Sequence, residues 1–301
     1  MSEVPASLRA ALGRIVPAED VVTAAPVAAL MATFGQDDPA PRPGDPLPPL
    51  WHGLFCTAKL PPSRLGPDGL AKDEGLLPAA PELPNKLFGG ARFVFHAPLR
   101  IGDAIRKESE VVSFEAKEGR TGAFVVGLVQ HRIYTDDGLA VTEENDIIFR
   151  PPMPKAGGGA GATTSSAPAS ASGPKPLPAA AWTRSFAPDP VLMFRHSAVT
   201  FNSHRIHYDR DYVKARGYPG LLVQGTLIAR LMLEMVKAEM PGFAVGAFSF
   251  RSGRPIYDDG DFTIGGTPDA AGASVALRAA DHAGNSGMTA EAVRAGAGTR
   301  V

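Results

Sequence analysis

The sequence has only one cysteine, Cys56, and no long apolar run. A single cysteine cannot form an intramolecular disulfide, so nothing points to an oxidising compartment. No stretch approaches the roughly 20 apolar residues of a transmembrane helix, and the N-terminus has no signal-peptide core. We therefore expect no membrane partner and a cytoplasmic location. The net charge of −1 is also small, so bulk charge favours no nucleic-acid partner.

What is present suffices for two folded domains. The chain has 301 residues, 44% of them hydrophobic and 20% charged, which is typical of folded proteins of this size. Residues 155–178 are rich in Gly, Ala, Ser and Pro and have almost no large apolar side chain. Such a segment cannot offset its own ordering entropy, so we predict a flexible linker there. It would separate an N-terminal domain, residues 1–154, from a C-terminal domain, residues 179–301.

The N-terminal half predicts a short helix, an irregular passage and then a run of strands. Residues 20–34 are Ala- and Val-rich and indicate a helix that Pro26 would cap or kink. The density of Pro and Gly between residues 39 and 84 predicts an extended, irregular path. From Gly90 onward, four β-branched and aromatic runs are separated by short turns. They predict an antiparallel meander.

The C-terminal half repeats a helix followed by strands. An irregular polar stretch, residues 200–220, precedes a segment from Leu221 to Met240 whose apolar residues recur at helical spacing on more than one face. We expect this helix to be largely buried, and four strand-like runs follow it between residues 243 and 295. One buried helix wrapped by a meander is the hot-dog arrangement, and two of them would form a pseudo-dimer. Two unrelated α+β domains are the alternative on this pattern alone.

Polar residues cluster just before the predicted buried helix. Positions 202–209 contain Asn202, His204, Arg205, His207, Tyr208 and Asp209. The chain has seven histidines, and His196 brings the number within twelve residues here to three. This density is unusual for a loop with a purely structural role. The segment is therefore the candidate functional site.

The motifs of this segment resemble those of a known superfamily. TFNSHRIHYDRDY (200–212), followed by GYPGLLVQGTL (217–227), resembles the MaoC-like, R-specific hydratases and dehydratases. Four patterns in the N-terminal half narrow the resemblance to the branch of mesaconyl-C4-CoA hydratases and type 2 hydroxyacyl-thioester dehydratases: LPPLWHGLF (47–55), LGPDG (65–69), GGARFVFHAPLRIGD (89–103) and EENDIIFRP (143–151). The resemblance implies an α+β fold of two fused hot-dog domains, with an acyl-CoA substrate, no metal and no separate cofactor. Because the N-terminal half lacks an equivalent of the TFNSHRIHYD cluster, we infer that only the C-terminal domain is catalytic.

The superfamily's catalytic pattern can be placed on this chain residue by residue. The resemblance implies that His207 is the acid/base residue and that the backbone N–H of Gly225 holds the thioester oxygen as an enolate forms. Histidine suits proton transfer near neutrality, and N–H groups at a helix start are fixed donors for an oxyanion. Asn202 stands where the superfamily has an aspartate, so it would orient the attacking water rather than deprotonate it. Gln224 replaces the histidine that usually precedes the glycine.

Other residues of the segment are candidates for substrate binding. Arg205 is a candidate for pairing with a carboxylate on the substrate; a salt bridge to Asp209 or Asp211 is the alternative. His204, Gln224 and Tyr208 are further candidate contacts, and His204 has the alternative of a hydrogen-bonded scaffold role. The histidines of the N-terminal half, His52 and His131, lack an equivalent cluster and are interpreted as structural. We expect that half to shape the acyl pocket.

Three functions follow from these observations. The first is a hydro-lyase that adds water to mesaconyl-C4-CoA to form citramalyl-CoA. The second is a 3-hydroxyacyl-thioester dehydratase acting on fatty or other acyl chains. The third, favoured by Asn202 in place of an aspartate, is an inactive acyl-CoA-binding protein. A homodimer of the two-domain chain is left open.

Overall fold

A computed structural model describes residues 3–73, 75–119, 122–152 and 180–297 of the chain. The predicted linker, residues 155–178, lies outside these described residues. The described strands are β1 (Ile15–Val21), β2 (Asn85–Phe95), β3 (Ala104–Gly119), β4 (Gly122–Thr135), β5 (Gly138–Arg150), β6 (Trp182–Phe186), β7 (Val245–Ser252), β8 (Phe262–Pro268), β9 (Ser274–Ala280) and β10 (Ser286–Arg294). The helices are α1 (Ala6–Arg9), α2 (Ala24–Thr33), α3 (Pro190–Val199), α4 (Arg210–Ala215) and α5 (Gly225–Glu239). Within the described part of the chain, none of the helices is long and apolar enough to cross a membrane.

All ten strands belong to one antiparallel sheet with the order β1-β3-β4-β5-β2-β7-β10-β9-β8-β6. The first five places belong to the N-terminal half and the last five to the C-terminal half. The order of the second half mirrors that of the first, and the two halves join where β2 pairs with β7. This pseudo-twofold arrangement confirms the predicted pair of fused hot-dog folds.

The predicted strands are all present, but two strands, β1 and β6, and three short helices, α1, α3 and α4, were not predicted. The first, β1, contains Pro17, which argues against a central strand. Because β1 lies at the sheet edge and pairs only with β3, one missing N–H is tolerated there. The other edge strand, β6, has only five residues and carries little periodicity. Helix α3 begins with Pro190 in its first turn, and the side chain of Asp189 accepts a hydrogen bond from the N–H of Val191 at 3.2 Å. The short α4 lay in the stretch predicted to be irregular.

Helix α5 is the central helix of the C-terminal half, as predicted. It begins at Gly225 rather than at Leu221, because Val223 donates its N–H to the carbonyl of Ile256 in an extended segment. The apolar residues identified from their spacing are buried in the core of this half: Leu227, Ile228, Leu231, Met232, Met235 and Val236. The helix packs against β9 and β10. Burial of one such side chain is worth about 1.5–3 kcal/mol, so this helix anchors the half.

Among the described residues, the N-terminal half has no helix equivalent to α5, so only the C-terminal half has a long central helix. The predicted helix at residues 20–34 is α2, which packs against α3 as its counterpart. The N–H of Leu47 donates to the carbonyl of Leu99, just as the N–H of Val223 donates to the carbonyl of Ile256 immediately before α5. By this equivalence, a central helix of the N-terminal half would start shortly after Leu47. Only a 3₁₀ turn, Trp51–Leu54, forms there. Cys56 then adopts a left-handed backbone with φ of 53°, and the chain continues through the Pro-rich passage.

Candidate functional site

A cavity of about 350 Å³ lies at the start of α5, between the two halves of the sheet. Its lining includes five residues singled out from the sequence: Asn202, His204, His207, Gln224 and Gly225. The N-terminal half contributes Lys86 and Phe88 of β2 to the same wall. The polar loop and the helix start, separate in sequence, therefore face one common space of a size typical for small-molecule sites.

His207 lies on a 3₁₀ turn, Arg205–His207, with its ring buried against the wall of the cavity. Its Nδ1 lies 2.7 Å from the carbonyl oxygen of Leu222. A carbonyl can only accept, so Nδ1 carries the hydrogen and Nε2 is the basic nitrogen of the neutral ring. Burial lowers the pKa of His207 to about 4, although the bond to Leu222 opposes this shift. The imidazole is thus neutral near pH 7 and able to accept a proton.

His204 and Asn202 lie beside this ring. The ring centroids of His204 and His207 are 5.6 Å apart, with the planes nearly perpendicular at 85°. Burial lowers the pKa of His204, so it too is uncharged near neutrality. The Oδ1 of Asn202 accepts a hydrogen bond from the N–H of His204 at 3.1 Å. Asn202 therefore braces the loop with its oxygen, and its Nδ2 is the group it can offer to a ligand.

Gln224 and Gly225 mark the beginning of α5. The Nε2 of Gln224 donates to the carbonyl of Met193 at 2.9 Å and to the hydroxyl of Ser197 at 2.7 Å, which ties α3 to this helix start. The N–H of Gly225 belongs to the first helical turn, where backbone donors lack an intrahelical acceptor. A Cβ at Gly225 would meet only Met288, at 3.7 Å. Packing thus tolerates a side chain there, and its absence leaves space for a ligand beside the N–H.

Arg205 and Tyr208 do not line this cavity, although Tyr208 lines a second, larger one. The guanidinium of Arg205 pairs with the carboxylate of Asp209, with nitrogen–oxygen distances of 2.9 and 2.7 Å, and 40% of its side chain is exposed. This is the salt bridge that the sequence left as the alternative to a substrate contact. Tyr208 is 47% exposed and donates its hydroxyl hydrogen to the carbonyl of Ser203. Neither residue lines the cavity that holds His207 and Gly225.

A loop from the N-terminal half holds the polar segment in place. The carbonyl of Asp68 accepts from the N–H of Arg205 at 2.8 Å, and the carbonyl of Gly69 accepts from the hydroxyl of Ser203 at 2.6 Å. Gly69 has φ of +85°, and a Cβ there would lie 2.0 Å from the Ser203 oxygen. Only glycine fits this contact. The LGPDG motif thus holds the candidate catalytic loop in position through these hydrogen bonds.

A buried arginine that the sequence reasoning missed joins the two halves near the site. Arg230 of α5 contacts Nε2 of His196 at 2.9 Å and donates to the carbonyl of Leu50 at 3.1 Å. Burial lowers the pKa of Arg230 to about 10, so it stays charged, and the charge of Glu143 is the nearby compensation. Burial and Arg230 together lower the pKa of His196 well below its usual value. An arginine flanked by Leu and Ala in an apolar helix is the sequence signal that was available.

A second and larger cavity, of about 1260 Å³, occupies the place in the N-terminal half that α5 fills in the other. It shares Leu70 and Asn202 with the first cavity. A polar row crosses its base, because cross-strand pairing places His131 of β4 between Ser109 of β3 and Glu143 of β5. The structural interpretation of His131 overlooked this neighbourhood, since strand register cannot be read from local spacing.

The carboxylate of Glu143 is tightly held in this row. The Nε2 of His52 lies 3.1 Å from one oxygen, and the Nδ2 of Asn145 donates to the other at 2.8 Å. Burial alone raises the pKa of Glu143, but the bond from His52 and the histidine charges outweigh it and lower the pKa to about 2. Nδ1 of His131 lies 2.7 Å from Oγ of Ser109, and burial lowers the pKa of His131. The row thus combines one ionised carboxylate with a hydroxyl group and an imidazole ring.

Neither cavity has a metal-binding arrangement in the described ranges, where no group of three or more His, Cys, Asp or Glu side chains is placed to hold an ion. Cys56 lines the larger cavity, and burial raises the pKa of its thiol. A raised pKa makes the thiolate scarce near pH 7. In the first cavity, the groups able to move a proton and to hold an oxyanion are the imidazole of His207 and the N–H of Gly225.

Comparison with known proteins gives consistent matches. Residues 50–258 match the family model for hydroxyacyl-thioester dehydratase type 2. The chain is 38% identical over 269 residues to the mesaconyl-C(4)-CoA hydratase of Chloroflexus aurantiacus, covering 86% of this chain and 88% of that protein. A MaoC-like dehydratase from Phytophthora capsici superposes with a TM-score of 0.69 at 14% identity, covering 96% and 97% of the two chains. A Mycobacterium tuberculosis protein with a double hot-dog fold gives 0.53 at 17%, covering 94% and 96%. The two structural matches support the fold alone.

Proposed function

Because the chain belongs to the hydroxyacyl-thioester dehydratase type 2 family, we propose that it is a hydro-lyase that reversibly adds water to an enoyl-CoA thioester. The observation that carries this proposal is the shared cavity, where a neutral His207 faces the same space as the N–H of Gly225. Coenzyme A would enter as part of the substrate, with no separate cofactor. The active site lies in the C-terminal half, and the N-terminal half completes the acyl pocket.

The proposed mechanism assigns each step to one group. Nε2 of His207 takes a proton from water as the oxygen bonds to the β-carbon. The electron pair of the double bond moves onto the thioester oxygen, and the N–H of Gly225 donates to that oxygen as it becomes anionic. The imidazolium then returns the proton to the α-carbon. The amide of Asn202 cannot serve as a base near neutrality, so its Nδ2 would hold the water by donating to its oxygen.

For the substrate we propose mesaconyl-C4-CoA, hydrated to citramalyl-CoA. The support is the relative of that name, which is 38% identical over most of both chains. The polar base of the adjoining cavity, with Ser109, His131 and Glu143, also disfavours a long alkyl chain. The family's own description favours a second candidate, dehydration of 3-hydroxyacyl thioesters, which is the reverse direction of the same chemistry.

A panel of enoyl-CoAs tests this proposal. We expect mesaconyl-C4-CoA to lose the absorbance of its conjugated thioester fastest, ahead of crotonyl-CoA and longer straight-chain 2-enoyl-CoAs. A preference for straight monocarboxylic chains would reject mesaconyl-C4-CoA and favour the second candidate. If no thioester were hydrated or dehydrated, the enzyme assignment would fail in favour of an acyl-CoA-binding protein.

A further inference from the structure

We infer that the larger cavity is a binding subsite for a carboxylate carried by the acyl group, with Lys107 as its cationic partner. This inference rests on the proposed acyl-CoA function. It adds that the N-terminal half selects substrates by the carboxylate on their acyl group. Lys107 and Ser109 lie two residues apart on β3 and both line the cavity. Residues two apart on a strand share one face, so they present their side chains to the same space.

The ammonium of Lys107 has little compensation from the protein. Its Nζ donates to the carbonyl of Cys56 at 3.2 Å. Among the described residues, no carboxylate lies within 4.0 Å of it. A lysine whose partner is one neutral carbonyl retains donors for a ligand. A cation that faces a partly enclosed cavity attracts an anion more strongly than one in bulk water.

The acidic residues around the cavity do not cancel this charge. Both oxygens of Glu143 are occupied by His52 and Asn145, and the buried charge of Arg230 lies nearby. Asp20 accepts from the N–H of Cys56 at 2.8 Å and lies 4.0 Å from Lys59 at the rim. Glu19 lies on the exposed face of β1. Lys107 is therefore the cation on the base of the cavity, and the buried Arg230, which does not line it, offsets the charge of Glu143.

A second donor lies beside Lys107. When Ser109 donates its hydroxyl hydrogen to Nδ1 of His131, the neutral ring carries its hydrogen on Nε2. His131 lines the cavity, so this N–H complements the ammonium for a carboxylate oxygen. The position of the cavity fits such a group, because Asn202 and Leu70 form a boundary shared with the catalytic cavity. An acyl group whose reactive carbons lie at His207 would direct its carboxylate past Asn202.

Equilibrium binding of two saturated acyl-CoAs tests the inference without relying on turnover. Succinyl-CoA and butyryl-CoA differ in having a carboxylate or a methyl group at the same position. We expect the wild-type protein to prefer succinyl-CoA, and Lys107→Met to weaken its binding about tenfold or more while leaving butyryl-CoA within about twofold. Lys107→Arg should restore most of the preference, which shows that Lys107→Met acts through charge rather than misfolding.

Lys59→Met is the matched control, since Lys59 lies at the rim of the same cavity with 68% of its side chain exposed. It should leave both affinities near wild type. Equal binding of the two ligands by the wild type, or equal weakening of both by Lys107→Met, would overturn the subsite. Hydration of crotonyl-CoA by a protein that fails this test would leave the proposed reaction standing. Selective succinyl-CoA binding by a protein without hydratase activity would support the subsite alone.

Discussion

The two halves follow the same strand plan but differ at the centre of the concave face. Phe93 of β2 pairs with Glu143, and Phe250, the equivalent residue of β7, pairs with Ala290. From there the N-terminal row continues through His131 to Ser109, and the C-terminal row continues through Leu277 to Gly266. The apolar row is covered by α5, whereas the polar row faces an open cavity.

This difference shows how one helix decides the chemistry of a whole face. A long apolar helix requires apolar strand residues beneath it, because a buried carboxylate without partners would cost several kcal/mol. Where the helix shortens to Trp51–Leu54, space and polar partners become available together. The same architecture thus provides a reaction site beside α5 in one half and a polar pocket in the other.

The largest expected effect contrasts one histidine from each half. His207→Ala should lower kcat/KM for the enoyl thioester by at least about 10², because it removes the group that moves the proton. His131→Ala should leave turnover of crotonyl-CoA within about twofold, since His131 faces only the acyl end. Loss of thioester absorbance measures both rates, and thermal melting confirms folding. Comparable losses of kcat/KM in the two variants would contradict the assignment of catalysis to the C-terminal half and of acyl binding to the N-terminal half.

The pH dependence sharpens the same contrast. Since the pKa of His207 is about 4, its neutral, proton-accepting form dominates above that value. We expect kcat/KM to be flat from about pH 5.5 upward and to fall about tenfold per unit below pH 4. An ordinary imidazole would give a midpoint near pH 6.5. The plots of kcat/KM against pH for the wild type and for His131→Ala should have the same shape. A midpoint near pH 6.5 would contradict the assignment of His207 as a buried base.

The smallest expected effect concerns the stability of the polar row. The pKa of Glu143 is lowered to about 2 in the folded state, so its ionised form stabilises the fold above its unfolded pKa of about 4.5. This contribution is lost as the pH falls towards 2. Glu143→Gln should lower the free energy of unfolding by on the order of 1 kcal/mol or somewhat more at pH 7, through its hydrogen bonds from His52 and Asn145, and by less at pH 3.5.

Urea unfolding at the two pH values measures this change. Glu144→Gln is the control, since Glu144 is adjacent in sequence but pairs with Arg92 at 3.0 Å on the other, partly exposed face. Its effect should be under about 1 kcal/mol. A pH-independent loss in Glu143→Gln would mean that the shape of the side chain matters and its charge does not.

Much of the fold was readable from the sequence because the signals were local. The spacing of Leu227, Leu231 and Val236 predicted the buried helix, and β-branched runs predicted the central strands. The convergence of Asn202, His207 and Gly225 on one cavity also matched the prediction, although their roles remain predictions. The edge strands and α3 were missed because proline and short length removed their periodicity.

The polar row could not be predicted, because it depends on contacts between distant strands. Ser109, His131 and Glu143 each lie on a different strand within a short run of polar residues, so nothing in the local sequence singles them out. Their meeting is set by register, which local pattern does not specify. The missing central helix was equally hidden, since WHGLF resembles the start of α5 and ends only because the following backbone changes direction.

The close contact between Gly69 and Ser203 has a consequence for dividing the protein. A fragment from residue 180 onward would retain His207, Gly225 and every strand of its half, yet the residue 65–69 turn that clamps its reactive loop would be gone. Fusion of the two halves thus keeps the conformation of the loop around Ser203 fixed, in addition to keeping the halves close together. The second fragment alone would not hold that loop in its native conformation. Mixing the two separately expressed fragments would restore the contact and with it the native conformation of the loop.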